Sequence, residues 1–383
     1  MPLHPGETLK KLVAGGNHTL LLTSSGRVFA AAQSTAVAFS RSDGPEDVKL
    51  GFKEVPFPQY ITSQSSVAPA REALVTDIAA TWEASFLVVD ATQIYVLGTG
   101  DKGELGRGEH CTKFLETEAS VAQIYDIADF EPGSKDVRVR SISACMNHVV
   151  VLTTTGNLYG WGASRKGQLG ARLQAEKIVW KPTRIVLDDV SMETGIAQVV
   201  TGRDFTFIVG THSKEYILLG AEPRGGFDLP RNLSSVFSTD NFHDSDTDTK
   251  SLRSNNNNTN NSGIEVEPYA LWSGLILKSP HGQTRGFGRN NHGQLIDTST
   301  SSGTETMVKQ LAAGSEHSVA LMMDGTVRAW GWGEHGNCGD GGLMSSDGGR
   351  RDGYLVFRPG AGEKVVGVGA GCATTFFWVE EGC

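Results

Sequence analysis

The sequence predicts an all-β protein: a seven-bladed β-propeller with degenerate repeats and an incomplete closing blade. Three observations lead there. Glycine makes up 47 of the 383 residues, about 12% against a usual share of roughly 7%, and with no collagen-like period these glycines mark many tight turns. Short apolar runs recur between those turns, the pattern of strands joined by hairpins. One residue template also returns along the whole chain.

The template is fullest in "NHVVVLTTTGNLYGWGASRKGQLG", residues 147–170. His148 opens an apolar run and Gly156 follows eight residues on. Trp161-Gly162 come next, then Gly167 and Gly170. In chain order, the first copy keeps His18 and Gly26 but loses the Trp-Gly pair. The second has Ala84 in the histidine slot, with Gly98, Gly103 and Gly106. The third is the stretch just quoted. The fourth, near Phe205, is degenerate. The fifth has Gly274 in the slot, then Gly282, Phe287-Gly288 and Gly293. The sixth, "EHSVALMMDGTVRAWGWGEHGNCG", repeats every offset from His317. The seventh, near Thr374, is degenerate.

Units of this length, made of short strands, cannot bury their own faces and must stack on neighbours, as blades do around an axis. The runs "TLLL", "SFLVV", "VVVL" and "SVALMM" are apolar on successive residues. A half-covered strand would alternate, so these strands are expected to be covered on both faces. Where the template keeps a glycine eight residues after the anchor, as at Gly26, Gly156, Gly282 and Gly325, it closes a tight turn, most clearly at Asp324-Gly325, because such turns need a positive φ.

The whole chain, 1–383, reads as one propeller domain. Long connections are expected at 35–75, 107–140, 171–197, 221–265 and 340–364. Within them 236–263, "VFSTDNFHDSDTDTKSLRSNNNNTNNSG", is a low-complexity insertion expected to be a disordered loop, since it has too little apolar surface to offset its ordering entropy.

Composition narrows the function classes. A net charge of −9 and a pI near 5.6 argue against direct nucleic-acid binding, which needs a basic face. The sequence has no apolar run long enough to span a membrane and no signal-peptide core at its start. Five scattered cysteines read as reduced thiols of a cytoplasmic or nuclear protein.

The repeat pattern of Gly-x-x-His, apolar run, Gly, Trp-Gly and Gly-Gln-Leu-Gly resembles the regulator of chromosome condensation family. That resemblance covers nearly the whole chain outside the insertion and implies the seven-bladed propeller. The chain lacks the basic tail of the founding exchange factor. It is more similar to the small stand-alone fungal members of the alpha-tubulin suppressor type. The likeness implies a small zinc-ribbon protein as partner, a link to tubulin, and support of diphthamide synthesis and wobble-uridine modification of tRNA. Guanine-nucleotide exchange on a small GTPase is the alternative the family allows. In this family the N-terminus usually completes the last blade. Here no matching segment precedes Val13, so the closing blade is expected to expose strand edges, covered by a partner or left by truncation.

No catalytic group stands out. G-x-x-x-x-G-K-[ST], H-E-x-x-H, G-x-S-x-G and paired C-x-x-C motifs do not occur, and neither cofactor nor metal is expected. His18, His148 and His317 could ligate zinc only by converging to about 2 Å from one ion. Their equivalent places in separate blades make them structural, each imidazole bonding a neighbouring backbone. "GTGDKG", 98–103, is part of the second repeat and not a dinucleotide fingerprint, which needs a strand and a helix around it. The partner-binding candidates are the residue pairs inside the Gly-x-x-His turns, which gather on one face around the axis. Trp82, Glu83, Arg203, Asp204, Trp272 and Glu316 are the best of them, and Trp332 beside its Trp-Gly is a further exposed-aromatic candidate. Trp and Arg dominate binding hot spots. The alternative for Trp82 and Trp272 is packing between blades. For Trp332 it is burial against "GEHGNCG".

Overall fold

In the computed structural model the apolar runs become the second strands of successive antiparallel sheets. The structure describes residues 4–32, 51–55, 73–111, 122–131, 133–134, 136–187, 195–211, 215–221, 226–237, 266–298, 307–339 and 352–381. Blade 1 is β1 (Leu9–Ala14), β2 (His18–Thr23), β3 (Val28–Ala32) and β4 (Lys53–Glu54). Blade 2 is β5 (Val75–Ala80), β6 (Ala84–Val89), β7 (Gln93–Gly98) and β8 (Ala122–Asp126). Blade 3 is β9 (Val139–Cys145), β10 (His148–Thr153), β11 (Leu158–Ala163) and β12 (Ile178–Ile185). Blade 4 is β13 (Ile196–Thr201), β14 (Phe205–Gly210) and β15 (Tyr216–Gly220). Blade 5 is β16 (Glu267–Ala270), β17 (Gly274–Lys278) and β18 (Thr284–Gly288). Blade 6 is β19 (Val308–Ala313), β20 (His317–Met322), β21 (Val327–Gly331) and β22 (Tyr354–Phe357). A two-stranded hairpin follows, β23 (Glu363–Ala370) with β24 (Thr375–Glu381).

The expected seven blades are therefore corrected to six of three or four strands, with a hairpin in the seventh place. The ring still closes: the inner strands touch in the order β1, β5, β9, β13, β16, β19, β23 and back to β1. Along β2, β6, β10, β14, β17 and β20 every residue is buried. The first strand of each sheet lines the axis, and the second is sandwiched between neighbouring sheets. That position explains the unbroken apolar runs.

The long connections are corrected in part. They contain the outer strands β4, β8, β12 and β22, and the first turn of 171–197 is a short helix, α1 (Ala171–Gln174). Of the insertion 236–263 only Val236 and Phe237 are described. Val236 is 3% exposed and belongs with Phe205, Phe227 and Leu275 in the core between blades 4 and 5, so the insertion cannot begin before Phe237. The remainder, 238–263, lies outside the described residues.

Two glycine positions are dictated by geometry. The turn glycines Gly26, Gly156, Gly282 and Gly325 have φ between 81° and 88°, a region that a Cβ disfavours. The opening glycine of Gly-x-x-His is needed for space instead. A Cβ on Gly15 would lie 2.4 Å from the His18 ring and from the Thr81 carbonyl, and one on Gly314 would lie 2.4 Å from the Gly371 carbonyl.

Candidate functional site: the axial face of the Gly-x-x-His turns

Each Gly-x-x-His turn joins an inner strand to the buried strand behind it, so the fold gathers the turns around one mouth of the axis. Backbone hydrogen bonds link them laterally. The amide of Gly16 donates to the Trp82 carbonyl (2.8 Å) and that of Trp82 to Met146 (2.8 Å). Arg203 donates to Trp272 (3.0 Å), Trp272 to Ser315 (3.1 Å) and Ser315 to Gly371 (3.3 Å). The Ser315 hydroxyl also donates to the Cys372 carbonyl, and the Cys372 thiol donates to the Gly15 carbonyl (3.2 Å). Gly16, Trp82, Arg203, Trp272 and Ser315 are thus held by their main chains, and the side chains of Trp82, Trp272 and Ser315 are left to face the mouth.

The mouth has a volume of about 100 Å³. Its floor is a ring that sequence reasoning missed. Ala14, Ala80, Ala144, Thr201, Ala270, Ala313 and Ala370 line it, one from each inner strand. Each stands four residues before its anchor, and that offset was the available signal. Seven strands converging on one axis leave room for a methyl group or a threonine and little more.

Over this floor stand Trp82 and Trp272, from blades 2 and 5. Their ring centroids are 5.7 Å apart at an interplanar angle of 48°. Trp82 is 38% exposed, Trp272 is half-buried, and a Cβ on Gly16 would lie 2.4 Å from the Trp82 ring. The two tryptophans therefore pack on each other across the mouth. They are not inserted between neighbouring blades.

The structure does not bring the other candidates to the mouth lining. Exposed Glu83 accepts from the Thr99 hydroxyl. Arg203 and Asp204 pair with each other, Nε to Oδ2 at 3.2 Å. Glu316 faces His292 at 3.2 Å. Half-buried Trp332 donates its amide to the Glu316 carbonyl (2.9 Å). Its ring lies 6.1 Å from the His292 ring and 5.2 Å, edge on, from His335 of the "GEHGNCG" loop. Glu316, His292, Trp332 and His335 thus form a second cluster at blades 5 and 6.

The three template histidines are buried, and burial lowers each imidazole pKa from 6.5 to about 4. The expected backbone partners hold for His148, beside Phe205, and for His317, beside Thr374, and each of the three rings also meets a side chain. His148 Nε2 meets the Thr206 hydroxyl and His317 Nε2 the Thr375 hydroxyl, each at 3.2 Å, while His18 Nδ1 meets Asn17 Oδ1 at 3.2 Å. Thr206 and Thr375 belong to the next sheet. Their hydroxyls donate onward to the carbonyls of Gln168 and Asn337 (2.7 and 2.6 Å). Ser318 does the same to Gln294 (2.7 Å). The Gly-Gln-Leu-Gly loop is therefore a bracket that presents a carbonyl to its neighbour. Burial also pushes the Cys145 thiol up, and those of Cys338 and Cys372 up to about 11, where a thiolate nucleophile is not available. Among the described residues no three His, Cys, Asp or Glu side chains gather to hold a metal ion.

Comparison with known proteins agrees with this geometry. Two family models, both described as the regulator of chromosome condensation (RCC1) repeat, match the chain. One matches residues 139–168 and 308–337 and the other residues 155–209. An RCC1 repeat-containing protein of Schizosaccharomyces pombe is 28% identical over 97% of this chain and 90% of its own length. The secretion-regulating guanine nucleotide exchange factor of Bos taurus is 22% identical, covering 87% of this chain and 68% of that protein. Among solved structures, Prp20p from Saccharomyces cerevisiae, described with its binding to Gsp1p and histones, superposes with a TM-score of 0.65. That match is at 17% identity and covers 97% of this chain and 82% of Prp20p. The innermost strands close a ring, so the chain is a β-propeller, and residues 139–209 and 308–337 within it match the regulator of chromosome condensation repeat.

Proposed function

We propose that the chain is a non-catalytic binding propeller of the cytoplasm or nucleus that holds a partner protein on its Gly-x-x-His face. The observation that carries this is the Trp82–Trp272 pair: two indoles in mutual contact over the axis, one of them 38% exposed. Held in place by backbone bonds, they form a preorganised aromatic centre of the kind that dominates binding energy. Outside the mouth lining Asp204 is paired with Arg203 and Glu316 faces His292, so exposed Glu83 and the overall charge of −9 are what favour a partner presenting cationic groups.

The resemblance to fungal members of the alpha-tubulin suppressor type supplies the finer reading. The partner is a small zinc-ribbon protein, and the pair supports diphthamide synthesis and wobble-uridine modification of tRNA, with a link to tubulin. Calorimetric titration of a recombinant zinc-ribbon protein into the chain tests it. Trp82→Ala and Trp272→Ala are each expected to cost about 2 kcal/mol or more of binding, the hot-spot range, with thermal melting unchanged. Full affinity in both variants would move the site off this face.

A second reading, guanine-nucleotide exchange on a small GTPase, is favoured by the likeness to the bovine exchange factor over 87% of this chain. Release of labelled GDP from a panel of GTPases separates the two. Acceleration supports exchange, and none across the panel removes it.

A further inference from the structure

Beyond the alanine ring the axial channel opens into a larger chamber toward the opposite face. It holds about 670 Å³, bounded by inner strands of blades 1, 3, 4, 5 and 6 and by the hairpin. Four lysines line it, Lys10, Lys11, Lys278 and Lys309, against one carboxylate, Glu267. This is a cationic opening in a chain of net charge −9, with Lys10 and Lys309 exposed at its rim.

The local pairing does not neutralise it. Lys11 is taken by Asp77 (2.7 Å). Lys278 is taken by Glu267 (3.0 Å), which also accepts from the Tyr269 hydroxyl (2.7 Å). Lys10 reaches only the neutral carbonyl of Thr76 (2.7 Å), and Lys309 makes no ion pair among the described residues. Two ammonium charges, from blades 1 and 6, thus remain uncompensated on either side of the thin hairpin. Trp378 of that hairpin also lines the chamber. Its indole lies over Gly367, where a Cβ would come within 2.0 Å of the ring, so the absent side chain makes the seat for the ring. Gln310 and the hydrogen-bonded hydroxyls of Ser143 and Thr201 (2.9 Å) complete the polar lining.

A concave chamber with an excess of one sign of charge concentrates counter-ions, and ammonium groups bind phosphate oxygens through charge-assisted hydrogen bonds. The volume suits a small molecule. We propose that this chamber binds a small polyphosphorylated molecule, with Lys10 and Lys309 as its principal anion contacts. The site is separate from the tryptophan mouth and stands or falls without it.

Sodium tripolyphosphate is the probe, titrated calorimetrically into the full chain at constant ionic strength set with sodium chloride. One saturable site is expected. Lys10→Ala and Lys309→Ala should each weaken it roughly tenfold, the loss of one charge-assisted bond, while Lys53→Ala on the outer strand β4 leaves it unchanged. Matching melting temperatures confirm that the variants fold. The proposal is overturned by no saturable heat up to about 1 mM probe, or by wild-type affinity in both channel variants.

Discussion

The two sides of the ring are held together differently. Through blades 2, 3 and 4 runs one continuous apolar cluster. At its centre is fully buried Trp161, its ring edge-on to Phe86 at 5.9 Å and its indole N–H donating to the Glu104 carbonyl (2.7 Å). Between the hairpin and blade 1 no buried apolar cluster spans the junction among the described residues. Contact there comes from close backbone approach. Leu12 lies over Gly369, Ala14 lies beside Gly371, the Cys372 thiol reaches the Gly15 carbonyl, and Phe52 meets Phe376 edge-on at 6.0 Å. Side-chain burial closes one side and glycine closes the other. Local opening follows the lower buried apolar area, so the ring should open first at the seam.

The largest expected effect tests the strong side. Trp161→Ala should cost about 3–5 kcal/mol in urea unfolding, the range for emptying a buried aromatic site. A cost near zero would remove the asymmetry. Next come the buried histidines. Their folded pKa values, about 4, lie below the free value of 6.5. Above pH 6.5 both folded and unfolded forms are neutral and no stability depends on them. As pH falls from 6.5 toward 4 the unfolded chain takes up protons that the folded chain refuses. Each imidazole then removes ~3 kcal/mol of stability by linkage. His148→Gln should flatten the fall in stability between those pH values by about a third of the three-histidine total. An unchanged slope would place that titration elsewhere.

Gly314→Ala probes the backbone contact between blade 6 and the hairpin. Its Cβ would meet the Gly371 carbonyl at 2.4 Å, and overpacking of that kind costs ~1–3 kcal/mol. The smallest effect belongs to the seam itself. Half-buried Phe376 replaced by alanine should cost about 1 kcal/mol, since little apolar area is lost. Hydrogen exchange without any mutation should nonetheless run faster along β24 than along β10. Equal protection would mean the seam is as firm as the core.

The blade pattern was legible in the sequence because its constraints are local. A turn that needs positive φ selects Gly156 and Gly325, and a doubly covered strand selects an apolar run such as Val149–Leu152. The outer strands were not legible. Lys53 and Glu54 of β4 are exposed on a strand edge, and nothing in their composition separates them from a loop. The shortfall in blades was legible in part: the missing match before Val13 predicted an incomplete closing blade, and among the described residues only a hairpin stands in the seventh place. At the candidate site, Trp82 and Trp272 could be named from their place in the turns. Their mutual contact could not, because it joins blades 2 and 5 across the axis and leaves no spacing signal. The alanine floor was overlooked because one small residue before an apolar run looks unremarkable in any single copy. Its meaning appears only when seven inner strands are seen to converge.

The most direct measurement is hydrogen–deuterium exchange of the chain with and without a bound zinc-ribbon protein. Binding at the mouth predicts slowed exchange at 80–83, 144–147 and 270–273, the turns that surround the two tryptophans. Slowing confined to the outer strands, or to the lysine-lined opening of the channel, would contradict it.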